Sequence, residues 1–146
     1  MNFELLLKQL EALLINRPLS DMANTSAFLY ENIPDLNWVG FYLLEGNSLF
    51  LGPFQGRVAC TEIPLLKGVC GKAAREKKTI VVADVHQFDG HIACDSRSNS
   101  EVVIPLIKNN ELIGVLDIDS PSLNRFQNPD EIKFFENVVY ALTISK

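Results

Sequence analysis

The sequence has 146 residues, 47% hydrophobic and 21% charged, and its 13 Lys plus Arg against 18 Asp plus Glu give a net charge of −5. This is the size and composition of one globular domain with a single core. No apolar run approaches the ~20 residues of a membrane helix, which excludes membrane spanning, and no basic cluster offers a footprint for a phosphate backbone, which argues against nucleic acid as a partner.

Residues 3 to 16 place Phe3, Leu6, Leu7, Leu10, Leu13 and Leu14 at helical spacing, with charged and polar residues between them. After Arg17-Pro18, Ser20-Asp21 predicts the cap of a second helix running to about Ile33-Pro34. The pattern then turns β-rich. Trp38 to Leu44 and Leu49 to Leu51, joined by Glu45-Gly46-Asn47, read as a hairpin. Gln55 to Ile63 reads as irregular, Gly68 to Glu76 as a short helix, and Thr79 to Val82 as a strand.

Residues 84 to 100 have no periodicity and form a long loop, the kind of segment that usually carries function. Val102 to Ile107 and Leu112 to Ile118, around Lys108-Asn109-Asn110, predict a second hairpin. Asn128-Pro129-Asp130-Glu131 supplies an N-cap, a proline at the first helical position and a carboxylate at the third. A last helix follows with Ile132, Phe135, Val138, Val139 and Leu142 on one face. The expected class is α+β, an antiparallel sheet packed against helices, in one domain over residues 1–146.

Met1-Asn2-Phe3-Glu4 lacks the features of a secretory signal, so a cytoplasmic location is expected. Three cysteines cannot all pair within one chain, and cytosolic thiols stay reduced, which leaves reactive or core thiols. Cys94 lies in the long loop among polar neighbours, as a working thiol would. Asp95 would raise its pKa and His91 would lower it. Cys70 is at a helix start, where free amides favour a thiolate, and the alternative is a small buried hydrophobe. Cys60 sits in an irregular stretch that suits a core poorly. Thiols on separate loops suit a nucleophile and a resolving partner, because a sulfenic acid condenses with a nearby thiol. The rival reading is a zinc site from Asp84, His86, His91 and Cys94, whose spacing matches no standard motif.

Glu101 heads one strand, and Asp117 and Asp119 lie on one face of its hairpin partner. They are either a solvated edge or a pocket mouth in which one acid keeps its proton. Trp38, Gly40 and Tyr42 share a face and form either a flat apolar pocket or ordinary core.

Taken together, Asn37-Trp38-Val39-Gly40-Phe41-Tyr42, Gly52-Pro53-Phe54-Gln55-Gly56, Cys60, Gly68-Val69-Cys70-Gly71, Cys94-Asp95, Ser100-Glu101 and Gly114 to Ser120 resemble the free methionine-(R)-sulfoxide reductases. The resemblance runs from about Leu36 to the last helix. It implies a GAF-like fold with a six-stranded antiparallel sheet, a catalytic Cys94, and Cys60 as the main resolving thiol with Cys70 as the other family cysteine. It further implies that Trp38 and Tyr42 hold the S-methyl group, and that Glu101, Asp117 and Asp119 bind the polar end of the substrate and assist catalysis. No metal, nucleotide or other cofactor is implied; a thioredoxin-type dithiol protein would reset the enzyme, and a homodimer is compatible. The other readings are a GAF small-molecule sensor, to which Asn124-Arg125-Phe126 and the start of the last helix bear a loose likeness, and a dimerisation module.

Overall fold

The structure, a computed structural model, describes residues 1–92 and 94–144. Helix α1 spans Phe3–Leu13 and is capped by the Asn2 side chain, which accepts from the Leu5 amide. It ends earlier than its leucine spacing predicts. Asn16 takes a left-handed conformation, and Asp21 accepts hydrogen bonds from the Ile15 and Arg17 amides at 2.9 and 3.2 Å, turning the chain into α2, Pro18–Asn32. Ser20-Asp21 therefore does not precede the second helix as its cap. Pro18 starts it, and Asp21 secures that start from inside the first turn.

Six strands follow: β1 Trp38–Glu45, β2 Ser48–Gly56, β3 Glu62–Pro64, β4 Ile80–Val82, β5 Ser100–Lys108 and β6 Glu111–Ser120. They form one antiparallel sheet in the order β3-β2-β1-β6-β5-β4. Strand β2 runs five residues beyond the predicted end at Leu51. The proline at 53 is accommodated because the β1–β2 register slips there: Gly40 faces Phe54 but Tyr42 faces Leu51, leaving β2 one residue long. In the β5–β6 hairpin both turn residues, Asn109 and Asn110, have positive φ, the geometry that a two-residue turn between twisted strands requires.

Each strand face has its own core. Val39 and Phe41, Val102, Ile104 and Leu106, and Leu116 and Ile118 point toward α1, α2 and the last helix α4, Pro129–Thr143. Trp38, Tyr42, Val103 and Val115 point the other way, toward α3, Gly68–Glu76, and the long loop, which contains a 3-10 turn at Val85–Gln87. The expected α+β class and six-stranded antiparallel sheet are what the structure has. The separation into two faces comes from strand alternation.

Helix α4 is capped by Asn128, as predicted, but the carboxylate at its third position does not complete the cap. Glu131 is buried and takes a two-pronged ion pair from Arg125, at 2.6 and 3.1 Å, while Arg125 also donates to the Pro34 carbonyl at 2.9 Å. This pair joins the end of α2 to the start of α4. Removing one partner strands a buried charge, so Arg125→Met should cost about 3–5 kcal/mol in urea denaturation, and the double variant Arg125→Met/Glu131→Leu should recover most of it.

Candidate active site

The second face of the sheet carries three acids in register. Glu101 on β5 lies directly opposite Asp119 on β6, and Asp119 is opposite Trp38 on β1. Two residues along, Asp117 lies between Val103 and Gly40. All three acids are buried. The solvated-edge alternative is therefore overturned, because α3 and the loop cover the face on which they stand.

Burial is the main reason that Asp117 and Asp119 are pushed well above the usual carboxylate range. For Asp117 the charges of Asp119 and Glu101 come next, and for Asp119 that of Glu101. One oxygen of each of these aspartates, Oδ1, is buried without a hydrogen-bond partner. The floor of the site thus holds two aspartates pushed toward their protonated form, each with unused acceptor capacity.

Trp38 and Tyr42 form one wall, their rings 5.8 Å apart and 23° from parallel. Phe54 stacks behind Trp38 at 5.2 Å. Gly40 is required between the two aromatics because a β-carbon there would run into Phe54 and the Trp38 indole. Both rings are polar-tipped and both tips are used: Trp38 Nε1 donates to the Arg57 carbonyl at 3.2 Å and the Tyr42 hydroxyl to the Cys60 carbonyl at 2.9 Å. Burial first, and then the charge of Asp117, raises the Tyr42 pKa, so the phenol remains a donor.

Above the acids, Cys60 and Cys94 are joined in a disulfide with their Cα atoms 5.3 Å apart. Cys70 remains a free buried thiol at the third position of α3, its Sγ 4.0 Å from a Glu101 oxygen. Burial, followed by the charges of Asp117, Glu101 and Asp119, drives its pKa well up. The helix-start thiolate reading of Cys70 therefore fails: desolvation and three acids outweigh the amides of a short helix. A cavity of about 40 Å³, room for a few waters, lies between the disulfide, the aromatics and the acids.

The cysteine loop is anchored by residues that sequence reasoning did not select. Asn37, the buried residue before β1, donates to Asp95 at 3.2 Å and to Ser98 at 3.0 Å. Arg97 binds Asp95 through its guanidinium and its backbone amide and holds that carboxyl below its ordinary range. The question of how Asp95 bears on Cys94 is thereby sharpened: its charge is spent on Arg97 and Asn37. His91 Nε2 faces Glu101, at 4.0 Å. The zinc set weighed in the sequence does not converge, since Asp84 accepts from the His86 amide, His86 Nε2 lies 2.8 Å from Asn99, and Cys94 is in the disulfide. Atoms of Cys70, Glu101 and Asp117 do lie within 4.8 Å of one another, a spacing suited to a cation.

The GAF domain family matches residues 19–145. A relative from Escherichia coli (strain K12), the free methionine-R-sulfoxide reductase, is 58% identical over 113 residues, covering 77% of this chain and 68% of its own. This chain belongs to the free methionine-R-sulfoxide reductases, a GAF-domain family. The reduced form of fRMsr of Staphylococcus aureus superposes with a TM-score of 0.93 at 50% identity, covering 97% of this chain and 93% of that one. The free methionine-R-sulfoxide reductase from Neisseria meningitidis in complex with its substrate does so with 0.92 at 39% identity, over 97% and 86%. Against these family members, the disulfide gives this protein as the oxidised form of the same framework.

The buried acids bear on stability. With a folded pKa raised above the unfolded value, Asp117 binds more protons in the folded state between the two values, so stability falls as pH rises through that window. Asp117→Asn should therefore raise the Tm at pH 8, and the gain should shrink toward pH 4, as measured by calorimetry across that range.

Proposed function

We propose that this protein reduces free L-methionine-(R)-S-oxide to methionine, and that its 146 residues work as a single GAF unit. The observation that carries the reading is the Cys60–Cys94 disulfide lying over buried, proton-holding acids beside an aromatic wall. A sulfoxide sulfur is a poor electrophile until its oxygen is protonated or strongly hydrogen-bonded. Asp119 or Asp117, whose carboxyls are pushed toward the protonated form by burial and by the neighbouring Glu101, supplies that proton. The Cys94 thiolate takes the oxygen, methionine leaves as the thioether, and Cys94 is left as a sulfenic acid.

Cys60 is the thiol placed to resolve it. Its sulfur attacks Cys94, water departs, and the disulfide results. An external dithiol of the thioredoxin kind then returns both cysteines to thiols by exchange and is itself oxidised. Cys70, neutral and buried against Glu101, is held in reserve. No metal or organic cofactor enters this cycle.

Trp38 and Tyr42 offer the S-methyl group an apolar, polarisable surface. The cation-sized space among Cys70, Glu101 and Asp117 receives the substrate's ammonium, a group that methionine within a polypeptide lacks. Selectivity for the free amino acid follows from that difference.

The sensor alternative loses its main support, because Arg125 is committed to Glu131 and Pro34. The dimerisation reading is compatible with catalysis. Leu5, Leu13 and Tyr140 leave apolar surface exposed on α1 and α4, which supports a homodimer that sedimentation would detect. Among the described residues no helix is long and apolar enough to cross a membrane, and a transient, catalytic disulfide is the kind that cytosolic proteins carry, which supports the cytoplasm.

The test supplies free methionine-(R)-sulfoxide with a thioredoxin system and follows oxidation of the reductant. Wild type should turn over and Cys94→Ser should show none; the opposite result for either protein rejects the reading. Glu101→Gln should raise KM for the free amino acid about 10- to 100-fold through the lost charged contact, with a smaller effect on kcat.

A further inference from the structure

We propose that the Tyr42 hydroxyl is a positioning group for the Cys60 thiol, so that one aromatic residue serves both the substrate pocket and the disulfide-forming step. The inference rests on the reductase reading for its place in a cycle, but its geometric basis is separate. Cys60 lies on neither β2 nor β3 but in the segment between them, which crosses over the aromatic wall. That segment is tied to the wall at two carbonyls: Arg57 accepts from Trp38 Nε1 at 3.2 Å, and Cys60 itself accepts from the Tyr42 hydroxyl at 2.9 Å. The next residue is held from the sheet, the Thr61 carbonyl accepting from the Leu51 amide at 3.0 Å.

In the oxidised form the covalent bond to Cys94 restrains Cys60 as well. Once the disulfide opens, that restraint is gone, and the hydrogen bonds from Trp38, Tyr42 and Leu51 are what hold Cys60 above the cavity. Tyr42 is suited to the task. It is 1% exposed, grows from a strand in the middle of the sheet, and stays a phenol, so its ring is fixed and its proton is available. The step that depends on it is the condensation of the Cys94 sulfenic acid with the Cys60 thiol, in which the S–S bond forms, the S–O bond breaks and water leaves. A thiol held at attack distance reacts as though highly concentrated, and a freed one does not.

Tyr42→Phe keeps the ring and removes only the donor. Two readouts distinguish positioning from general damage. The first is the equilibrium of the two cysteines with glutathione, in which protein dithiol plus glutathione disulfide gives protein disulfide plus two glutathiones. The variant should have an equilibrium constant about 3- to 10-fold lower, because the disulfide form loses the whole hydrogen bond while the dithiol form offsets its loss with the regained freedom of the Cys60 segment, and the disulfide form should keep a near-native Tm. The second is the share of Cys94 captured as sulfenic acid by dimedone per methionine released in a single turnover, which should rise several-fold. An unchanged glutathione equilibrium overturns the proposal. Because that equilibrium involves no sulfoxide, it decides the matter even if the wild type proves inactive on methionine sulfoxide, which would sink the reductase reading alone.

Discussion

Two carboxylates standing opposite each other in a sheet, with a third two residues away and all of them buried, make an arrangement that few folds tolerate without a purpose. Desolvation penalises each charge, and Glu101, Asp117 and Asp119 also repel one another. The cluster can exist only by holding protons or by meeting a cation. Much of the rest of this face follows from that constraint. The cover must exclude water for Asp117 and Asp119 to keep their raised pKa values, Cys70 must remain a neutral thiol beside Glu101, and the wall opposite must be apolar but polar-tipped.

The cover is where structure and chemistry meet. It comes from two chain segments that arrive from different sides, the stretch carrying Cys60 and the long loop carrying Cys94. Each is fastened at its own foot to the region where β1 begins. Asn37 ties the Cys94 loop through Asp95 and Ser98, while Trp38 and Tyr42 tie the Cys60 segment through backbone carbonyls. Within the six residues Asn37 to Tyr42, Asn37, Trp38 and Tyr42 thus hold both halves of the cover, and Trp38 and Tyr42 also line the cavity beneath it. This gives a physical reason for a β1 with so little freedom: Gly40 cannot carry a side chain, and Trp38 and Tyr42 cannot exchange their polar tips for plain rings without freeing something above them.

Much of this was legible in the sequence, for reasons that differ by element. Strand alternation in Leu116-Asp117-Ile118-Asp119 exposes a two-sided strand with an acid on every second position, and the register then follows from a short asparagine turn. Helix α4 announces itself through Asn128-Pro129. What failed were features decided by contacts distant in the chain. Nothing local shows that β2 continues past Pro53, because the bulge that admits the proline is a property of its pairing with β1. Glu131 has the sequence position of a cap but finds Arg125, six residues before it. Asn37 looks like a strand-preceding turn residue until the loop 58 residues later folds onto it. The cysteines themselves allowed several pairings, and the choice of Cys60 came from family resemblance rather than from spacing.

The sheet also separates two demands that would otherwise compete. Leu116 and Ile118 are buried against α1, α2 and α4 in a core that contains no acid of the site, while Asp117 and Asp119, one residue along, face the cavity. The helical side can therefore supply hydrophobic stability at its ordinary rate per unit area while the other face carries repelling acids and breakable covers. A strand with both kinds of residue on one face could not do this, since each cavity needed for chemistry would be a void in the core. Two-sided burial of a central strand is thus what lets a domain of this size keep an unstable, proton-loaded site without losing its fold.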